Sequence, residues 1–268
     1  MLPLSARERF SDLEPHYIIP KYDRFSKFLL LRLVPLYQRM RRHGRLDDRA
    51  CTLWTEGRGF MSWMQLFSHH RVQVIGPDGV PPWGAFGIAA ASSQQFDAWT
   101  ELAAFAADLR QQVQPREALP TVTLIRRQDG RKLREHAELM RRLKALKLNC
   151  VEVAMEESGP RELLELLHNT RVLVGAHGAG LLNMMFMRPG GRVIELQPEG
   201  CTGDRYRSSA TAVGLQWKRV AGNRVVADRP DGEPAPFPTG KAGEFSIPVE
   251  ELVDFIRECI RETGADYP

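Results

Sequence analysis

The chemistry of this chain is concentrated in one run: Val172-Leu173-Val174-Gly175-Ala176-His177-Gly178-Ala179-Gly180-Leu181-Leu182-Asn183. An apolar stretch that reads as a buried strand gives way to a glycine-rich turn and then to a new helix. In parallel α/β sheets, ligands collect beyond the carboxyl ends of the strands. Gly178 and Gly180 let backbone approach a ligand closely and expose N–H groups, and the helix start adds about half a positive charge. A diphosphate suits such a place, although the turn could equally serve only to pack helix on strand. The dinucleotide pattern GxGxxG is not met, because Asn183 stands where the third glycine would be. His177 could donate to a phosphate or sugar hydroxyl, or fix the turn through a neighbouring carbonyl. Asn183 could hold a ligand or cap backbone groups. Glu195 ends the next strand, where a carboxylate suits a ribose diol; its alternative is a salt bridge to Arg188 or Arg192. Arg126, Arg127 and Arg131 follow the first strand of the same region and could clamp phosphate through paired N–H groups. The candidate binding set is therefore Arg126, Arg127, Arg131, His177, Gly178, Ala179, Gly180, Asn183 and Glu195.

These groups need a scaffold that ends several strands at one edge. After Pro120 the sequence supplies it: strand Thr121–Ile125, helix Lys132–Lys147, strand Cys150–Ala154 and helix Pro160–Asn169 with proline in its first turn. Strand Arg171–Gly175, a helix from the glycine turn to about Met187, strand Val193–Leu196, a helix over 205–213 and a strand over 215–220 follow. The alternation predicts an α/β fold with a parallel sheet covered by helices. Upstream, the first 25 residues lack periodicity. A helix is expected from Ser26 to about His43, kinked or restarted at Pro35. Strands over Cys51–Thr55 and Val72–Ile75, a helix over Phe60–His69, a loop and linker over 80–92 and a helix over 94–112 complete that part. The organisation expected is a short N-terminal lobe (1–119), a Rossmann-like lobe (120–222), a loop (223–247) and a closing helix (248–268).

Composition bounds the remaining classes. With 268 residues, 43% hydrophobic, 26% charged and a mean hydropathy of -0.33, the chain is globular, not disordered. The net charge of +4 hides an uneven spread: +5 over residues 1–49, +6 over 126–147 and -7 over the rest. A nucleic-acid binder would be basic more broadly and would interleave aromatics; residues 126–147 contain no Phe, Tyr or Trp. The 30 Arg against 7 Lys suit phosphate or carboxylate contact, but a GC-rich genome yields the same bias. Cys51, Cys150, Cys201 and Cys259 form no CxxC or Cys/His cluster, so no metal site is expected. Phe28–Leu31 is broken by Arg32 and is too short to span a bilayer, and no signal-peptide pattern precedes it. The chain as written is expected to be soluble, with membrane attachment only through an anchor upstream of Met1.

Residues 121–198 resemble the C-terminal part of glycosyltransferase family 61, the group of plant xylan xylosyl- and arabinosyltransferases and protein O-linked GlcNAc transferases. The resemblance rests on Ile125-Arg126-Arg127, Arg131, Arg134-Glu135, His177 to Leu181 (HGAGL), Asn183, Pro189-Gly190 and Ile194-Glu195-Leu196. It implies a GT-B-like fold with a shorter α/β N-terminal lobe. It also implies a UDP-sugar donor, inversion at the anomeric carbon, a glycan or protein hydroxyl as acceptor and no obligatory metal. Arg126 or Arg127, with His177 and the turn, would hold the diphosphate, and Glu195 would serve the ribose or its supporting network. The compartment implied is the Golgi or endoplasmic reticulum lumen in a eukaryote and the cytoplasm in a bacterium. Segment Arg24–Tyr37 resembles the family's Asn-Phe-x-His-Phe-x-x-Asp helix start, with Lys27 at the His position and Leu31 at the Asp position. An inverting transfer needs a base for the acceptor hydroxyl. Asp23, one helical turn before Lys27, is the nearest substitute in sequence; its other reading is a helix cap or surface acid.

Three functions are thus open: an active inverting glycosyltransferase, an inactive relative that binds UDP-sugar or a partner, and an unrelated Rossmann-like nucleotide binder. UDP binding with UDP release separates the first from the second. Preference for NAD or ATP over UDP would mark the third.

Overall fold

The computed structural model describes residues 16–19, 29–42, 44, 52–55, 61–66, 71–74, 85–87, 98–114, 122–128, 130–199, 201, 203–224 and 243–263. The chain forms two compact units, Met1–Glu101 and Leu102–Pro268. No described helix is long and apolar enough to cross a membrane.

The first unit carries a four-stranded parallel sheet of order β3-β2-β1-β4, from β1 (His16–Ile19), β2 (Thr52–Thr55), β3 (Arg71–Val74) and β4 (Ala85–Gly87). Two of these strands correct the sequence reading: β1 lies where no periodicity was expected and β4 in the presumed linker. Turn-forming residues crowd both: β1 lies between Pro15 and Pro20, and β4 follows Gly84 and ends in Gly87. A π-helical turn over Leu29–Leu33 runs into helix α1 (Val34–Arg42), so Pro35, which has no N–H to donate, falls just after the π turn. Leu29, Leu33, Leu36, Tyr37 and Met40 are buried along it. A short helix, α2 (Met61–Gln65), follows, and helix α3 (Ala98–Arg110) begins in the first unit and continues from Leu102 in the second.

The second unit holds a seven-stranded, mostly parallel sheet. Its strands are β5 (Val122–Ile125), β6 (Lys132–Leu133), β7 (Cys150–Val153), β8 (Val172–Ala176), β9 (Arg192–Pro198), β10 (Gln216–Arg224) and β11 (Glu244–Ser246). The order is β6-β11-β10-β9-β8-β5-β7. Strands β5, β7, β8, β9 and β10 pair in parallel, β11 runs antiparallel to β10, and β6 pairs in parallel with β11. Every residue of β8 and β9 is buried, as expected of central parallel strands covered on both faces.

Helices α4 (His136–Ala145) and α7 (Val249–Glu262) cover one face. Their Leu139, Leu143, Ile256 and Ile260 pack with Val122, Leu124, Val174 and Ile194 in one apolar cluster. Each such side chain contributes roughly 1.5–3 kcal/mol by leaving water. Helix α7 places Glu250 and Glu251 in its first turn and Arg261 in its last, matching the helix dipole. Helices α5 (Pro160–Asn169) and α6 (Arg205–Ala212) and a 3-10 helix over Ala179–Phe186 contribute nothing to that cluster and occupy the opposite face. The strand numbering in chain order, read across β7-β5-β8-β9-β10, reverses between β5 and β8. That reversal is a topological switch point, where doubly wound sheets open a crevice for ligands.

Three further differences from the sequence reading have physical causes. The expected helix Lys132–Lys147 is strand β6 followed by α4, because Glu135 is drawn to the C-terminal strand: its carboxylate accepts from Ser246 Oγ at 2.5 Å and from Ile247 N at 3.3 Å. The expected loop 223–247 contains the end of β10 and all of β11, whose partners lie about 20 and 110 residues away in sequence and leave no local signature. The helix after the glycine turn is 3-10, with Leu181 N donating to Gly178 O at 3.0 Å and Asn183 Nδ2 to Gly180 O at 2.9 Å.

One consequence for stability follows from α5. His168 is buried at its last turn, and burial, with the nearby Arg188 and Arg110 charges, pushes its imidazole below the usual value of 6.5. The unfolded chain therefore takes up this proton at higher pH than the folded one, so stability is fully present above about pH 6.5 and falls as pH drops through the folded value. Melting temperature should decline from pH 7.5 to pH 5.5, with a shallower slope in His168→Gln. Parallel slopes in the two proteins would show that His168 plays no part.

Candidate functional site

Two strand ends flank the switch point. Strand β5 runs into Arg126-Arg127, and β8 into His177-Gly178. The sequence-expected residues divide into three sets around this point.

The first set is built on His177. Its backbone N–H donates to Leu196 O at 2.8 Å, which continues the β8–β9 ladder by one residue. Its Nδ1 bonds Glu195 Oε1, and Trp217 Nε1 donates to Glu195 Oε2 at 2.8 Å. Glu195 is fully buried on β9. A carboxylate accepts only, so Nδ1 carries the proton and Nε2 is left to face a ligand. Tyr206, in the first turn of α6, meets the His177 ring edge to face at 5.0 Å and 79°. Burial pushes the Tyr206 phenol up, against the pull of Arg205, Arg131 and Arg127, so it stays neutral and can serve as a donor. Glu195 thus orients His177, with neither oxygen turned to a sugar. Arg188 and Arg192, its expected salt-bridge partners, are engaged elsewhere. Arg188 Nε donates to His168 O at 3.1 Å, and Arg192 pairs with Glu262 at 3.1 Å.

The second set is the turn itself. The N–H groups of Gly178, Ala179 and Gly180 donate to no backbone carbonyl of a described residue. Arg127 lies directly on the turn: a Cβ placed on Gly178 would come within 2.3 Å of Arg127 Nη1. A Cβ on Gly180 would meet Met155 Cγ at 3.3 Å. Glycine at 178 is therefore what lets the guanidinium rest against the turn. Asn183 is buried and its Nδ2 braces the turn through Gly180 O, while its Oδ1 has no partner among the described residues.

The third set lines a cavity of about 370 Å³ on the α4 face of the same edge. Arg126, Arg127 and Arg131 all border it. Arg126 is held there by two carboxylates, Glu152 at 2.8 Å and Glu157 at 3.2 Å, and His136 Nε2 bonds the same Glu152 at 2.5 Å. Arg131 adopts a left-handed backbone, φ 64°, fixed by its N–H on Gly243 O at 2.7 Å. Arg127 is the residue common to cavity and turn.

Asp23 and Lys27 lie outside the described residues. Leu31 falls in the π-helical turn Leu29–Leu33. No group of three or more His, Cys, Asp or Glu side chains among the described residues is placed to hold a metal ion. Sequence reasoning did not single out Tyr206 and Trp217. Trp217 stands at the third residue of the strand expected over 215–220, and only the β9–β10 register brings its indole N–H to Glu195.

A parallel sheet whose order reverses between β5 and β8, with a glycine turn and arginines at the reversal, defines a doubly wound α/β domain. The chain belongs to the glycosyltransferase 61 family, whose model matches residues 57–194, ending within β9. It is similar to the EGF domain-specific O-linked N-acetylglucosamine transferase of Canis lupus familiaris: 29% identical over 153 residues, covering 54% of this chain and 28% of that protein. It is also similar to protein O-linked-mannose beta-1,4-N-acetylglucosaminyltransferase 2 of Danio rerio, 23% identical over 228 residues, covering 73% of this chain and 39% of that one. The Xenopus laevis form of the latter is 29% identical over 104 residues, 37% of this chain and 18% of that one. The matches thus span well under half the length of these curated relatives.

Proposed function

We propose that the chain is the donor-binding part of an inverting glycosyltransferase that moves a sugar of the xylose, arabinose or GlcNAc class from a UDP-sugar to a glycan or protein hydroxyl. The observation that carries this reading is the Arg127 guanidinium resting on Gly178 at the switch point, beside a His177 whose Nδ1 is already occupied. The family membership and the names of the relatives support glycosyl transfer and an N-acetylglucosamine-type donor.

In this reading the diphosphate lies across the turn. It accepts from the N–H groups of Gly178 to Gly180, from Arg127 and from Nε2 of a His177 that carries a proton on both ring nitrogens, an imidazolium paired with Glu195, with the 3-10 helix start adding its dipole. The acceptor oxygen bonds to the anomeric carbon from the side opposite the diphosphate while the carbon–phosphate-oxygen bond breaks. The acceptor proton passes to a general base, for which Asp23 remains the candidate, and UDP leaves with its new charge on the β-phosphate. Arg127 and the turn N–H groups meet that charge where it develops, the arrangement that stabilises a transition state without reorganisation. The charge is carried by side chains and backbone, with no metal required.

The test is UDP binding by calorimetry together with UDP release during incubation with UDP-xylose, UDP-arabinose and UDP-GlcNAc against glycan and peptide acceptors. Binding plus acceptor-dependent release is expected. UDP binding with no release from any pair would leave a binding protein, and tighter binding of NAD or ATP than of UDP would remove the donor assignment.

A further inference from the structure

The cavity on the α4 face holds more positive charge than its own carboxylates neutralise. Its floor is apolar, formed by Leu124, Ala176 and Leu196 near the ends of β5, β8 and β9. Arg131, Lys132 and Arg134 line it together with the Arg126–Glu152 pair. Arg134 reaches Glu244 only at 3.6 Å. Lys132 makes no ion pair with a described residue, and Arg131 Nε is buried with no hydrogen-bond acceptor among them.

Arg131 also pays a backbone penalty. A non-glycine residue at φ 64° costs of order 1 kcal/mol or more, and such strain persists where the surroundings enforce it. Here the Arg131 N–H on Gly243 O enforces it and keeps the guanidinium at the cavity. A strained arginine at the cavity gains charge-assisted partners when an oxyanion fills the space. Among the described residues the lining contains no Phe, Tyr or Trp to stack a base and no Asn, Gln, Ser or Thr to read a base edge. The space therefore suits an apolar ring face with one acidic substituent better than a nucleobase.

We propose that this cavity is a second anion subsite that takes an acidic sugar. The C–H face of the ring lies on Leu124, Ala176 and Leu196, and the carboxylate lies on Arg131 and Lys132. The inference rests on the donor reading above, because Arg127 joins the cavity to the diphosphate turn. The acidic sugar has two sources of the same chemistry: an acidic residue of the acceptor glycan, beside the neutral transferred sugar proposed above, or the transferred sugar itself, in which case a UDP-uronate replaces the xylose, arabinose or GlcNAc class as donor.

Calorimetry on the full chain separates them. UDP, UDP-glucose and UDP-glucuronate are titrated first. Then, with UDP saturating, a glucuronate-terminated trisaccharide is compared with its glucose-terminated counterpart. In one comparison the acidic ligand should bind about tenfold tighter than the neutral one, a gain expected of a charge-assisted contact. That preference should largely vanish in Arg131→Gln and in Lys132→Gln, the second variant serving if the first does not fold. No preference in either comparison, or a preference that survives in every folded variant, overturns the subsite. Loss of UDP and UDP-sugar affinity in equal measure, acid and neutral alike, would assign the cavity to the nucleoside instead and also overturn it. Failure of UDP itself to bind the wild-type chain overturns the donor reading and, with it, the subsite.

Discussion

Glu195→Ala should produce the largest loss of both stability and ligand binding among single changes at the site. The carboxylate is fully buried and accepts from His177 Nδ1 and Trp217 Nε1. Its removal leaves two N–H donors at a buried position without an acceptor, at about 1–3 kcal/mol each, and adds a cavity. A total near ~3 kcal/mol lowers the melting temperature of a chain this size by about 6–12 °C. UDP affinity should fall as well, because His177 loses the bond that sets its tautomer. Glu195→Gln keeps the shape but presents its NH2 group to one of the two donors, so its loss should be smaller in both measurements. A Glu195→Ala protein that melts with the wild type would mean that the Trp217–Glu195–His177 chain does not hold the site.

Gly178→Ala should separate binding from folding. The new Cβ falls 2.3 Å from Arg127 Nη1, so the guanidinium must leave the turn. The clash is with the far end of a flexible side chain, and Gly178 has an extended backbone, φ 168°, that alanine adopts freely. The melting temperature should therefore stay near that of the wild type. UDP affinity should fall by about ten- to a hundredfold, the ~1.4–2.8 kcal/mol of a lost charge-assisted contact. Arg127→Ala should cost a similar amount, and the double variant little more than either alone, since both changes remove one interaction. Calorimetry on the three proteins checks this. Additive losses, or normal affinity in Gly178→Ala, would show that Arg127 does not act from the turn.

The parts of the site that were legible in the sequence are those encoded by contiguous residues. The run Val172–Ala176 is apolar throughout because β8 is covered on both faces, and Gly178 and Gly180 mark the turn at its end. The position of Arg126-Arg127 at the same edge follows from strand alternation alone. What could not be read depends on register across the sheet. Gly175 pairs with Glu195, and Val193 with Trp217, so the His177–Glu195–Trp217 contacts arise from three strands separated by about 20 residues each. Glu195 was therefore expected at a ribose, or against Arg188 or Arg192, and lies instead behind His177. Arg131 and Arg126 look alike in sequence; the carboxylates Glu152 and Glu157 that occupy Arg126 come from β7 and the turn after it. In the first unit, β1 and β4 were masked by nearby turn formers, Pro15 and Pro20 around β1 and Gly84 and Gly87 at β4. The reading of α4 failed at its start for a related reason: Glu135 serves Ser246 and Ile247 more than a hundred residues away.

The central claim is that the diphosphate of a UDP-sugar lies at the switch point between β5 and β8. A crystal structure of the chain soaked with UDP tests it most directly. The expected result is a diphosphate within hydrogen-bond distance of the Gly178–Gly180 N–H groups, Arg127 and His177 Nε2, with Glu195 still bonded to Nδ1. A diphosphate bound away from the turn, with Arg127 and His177 unengaged, would contradict it.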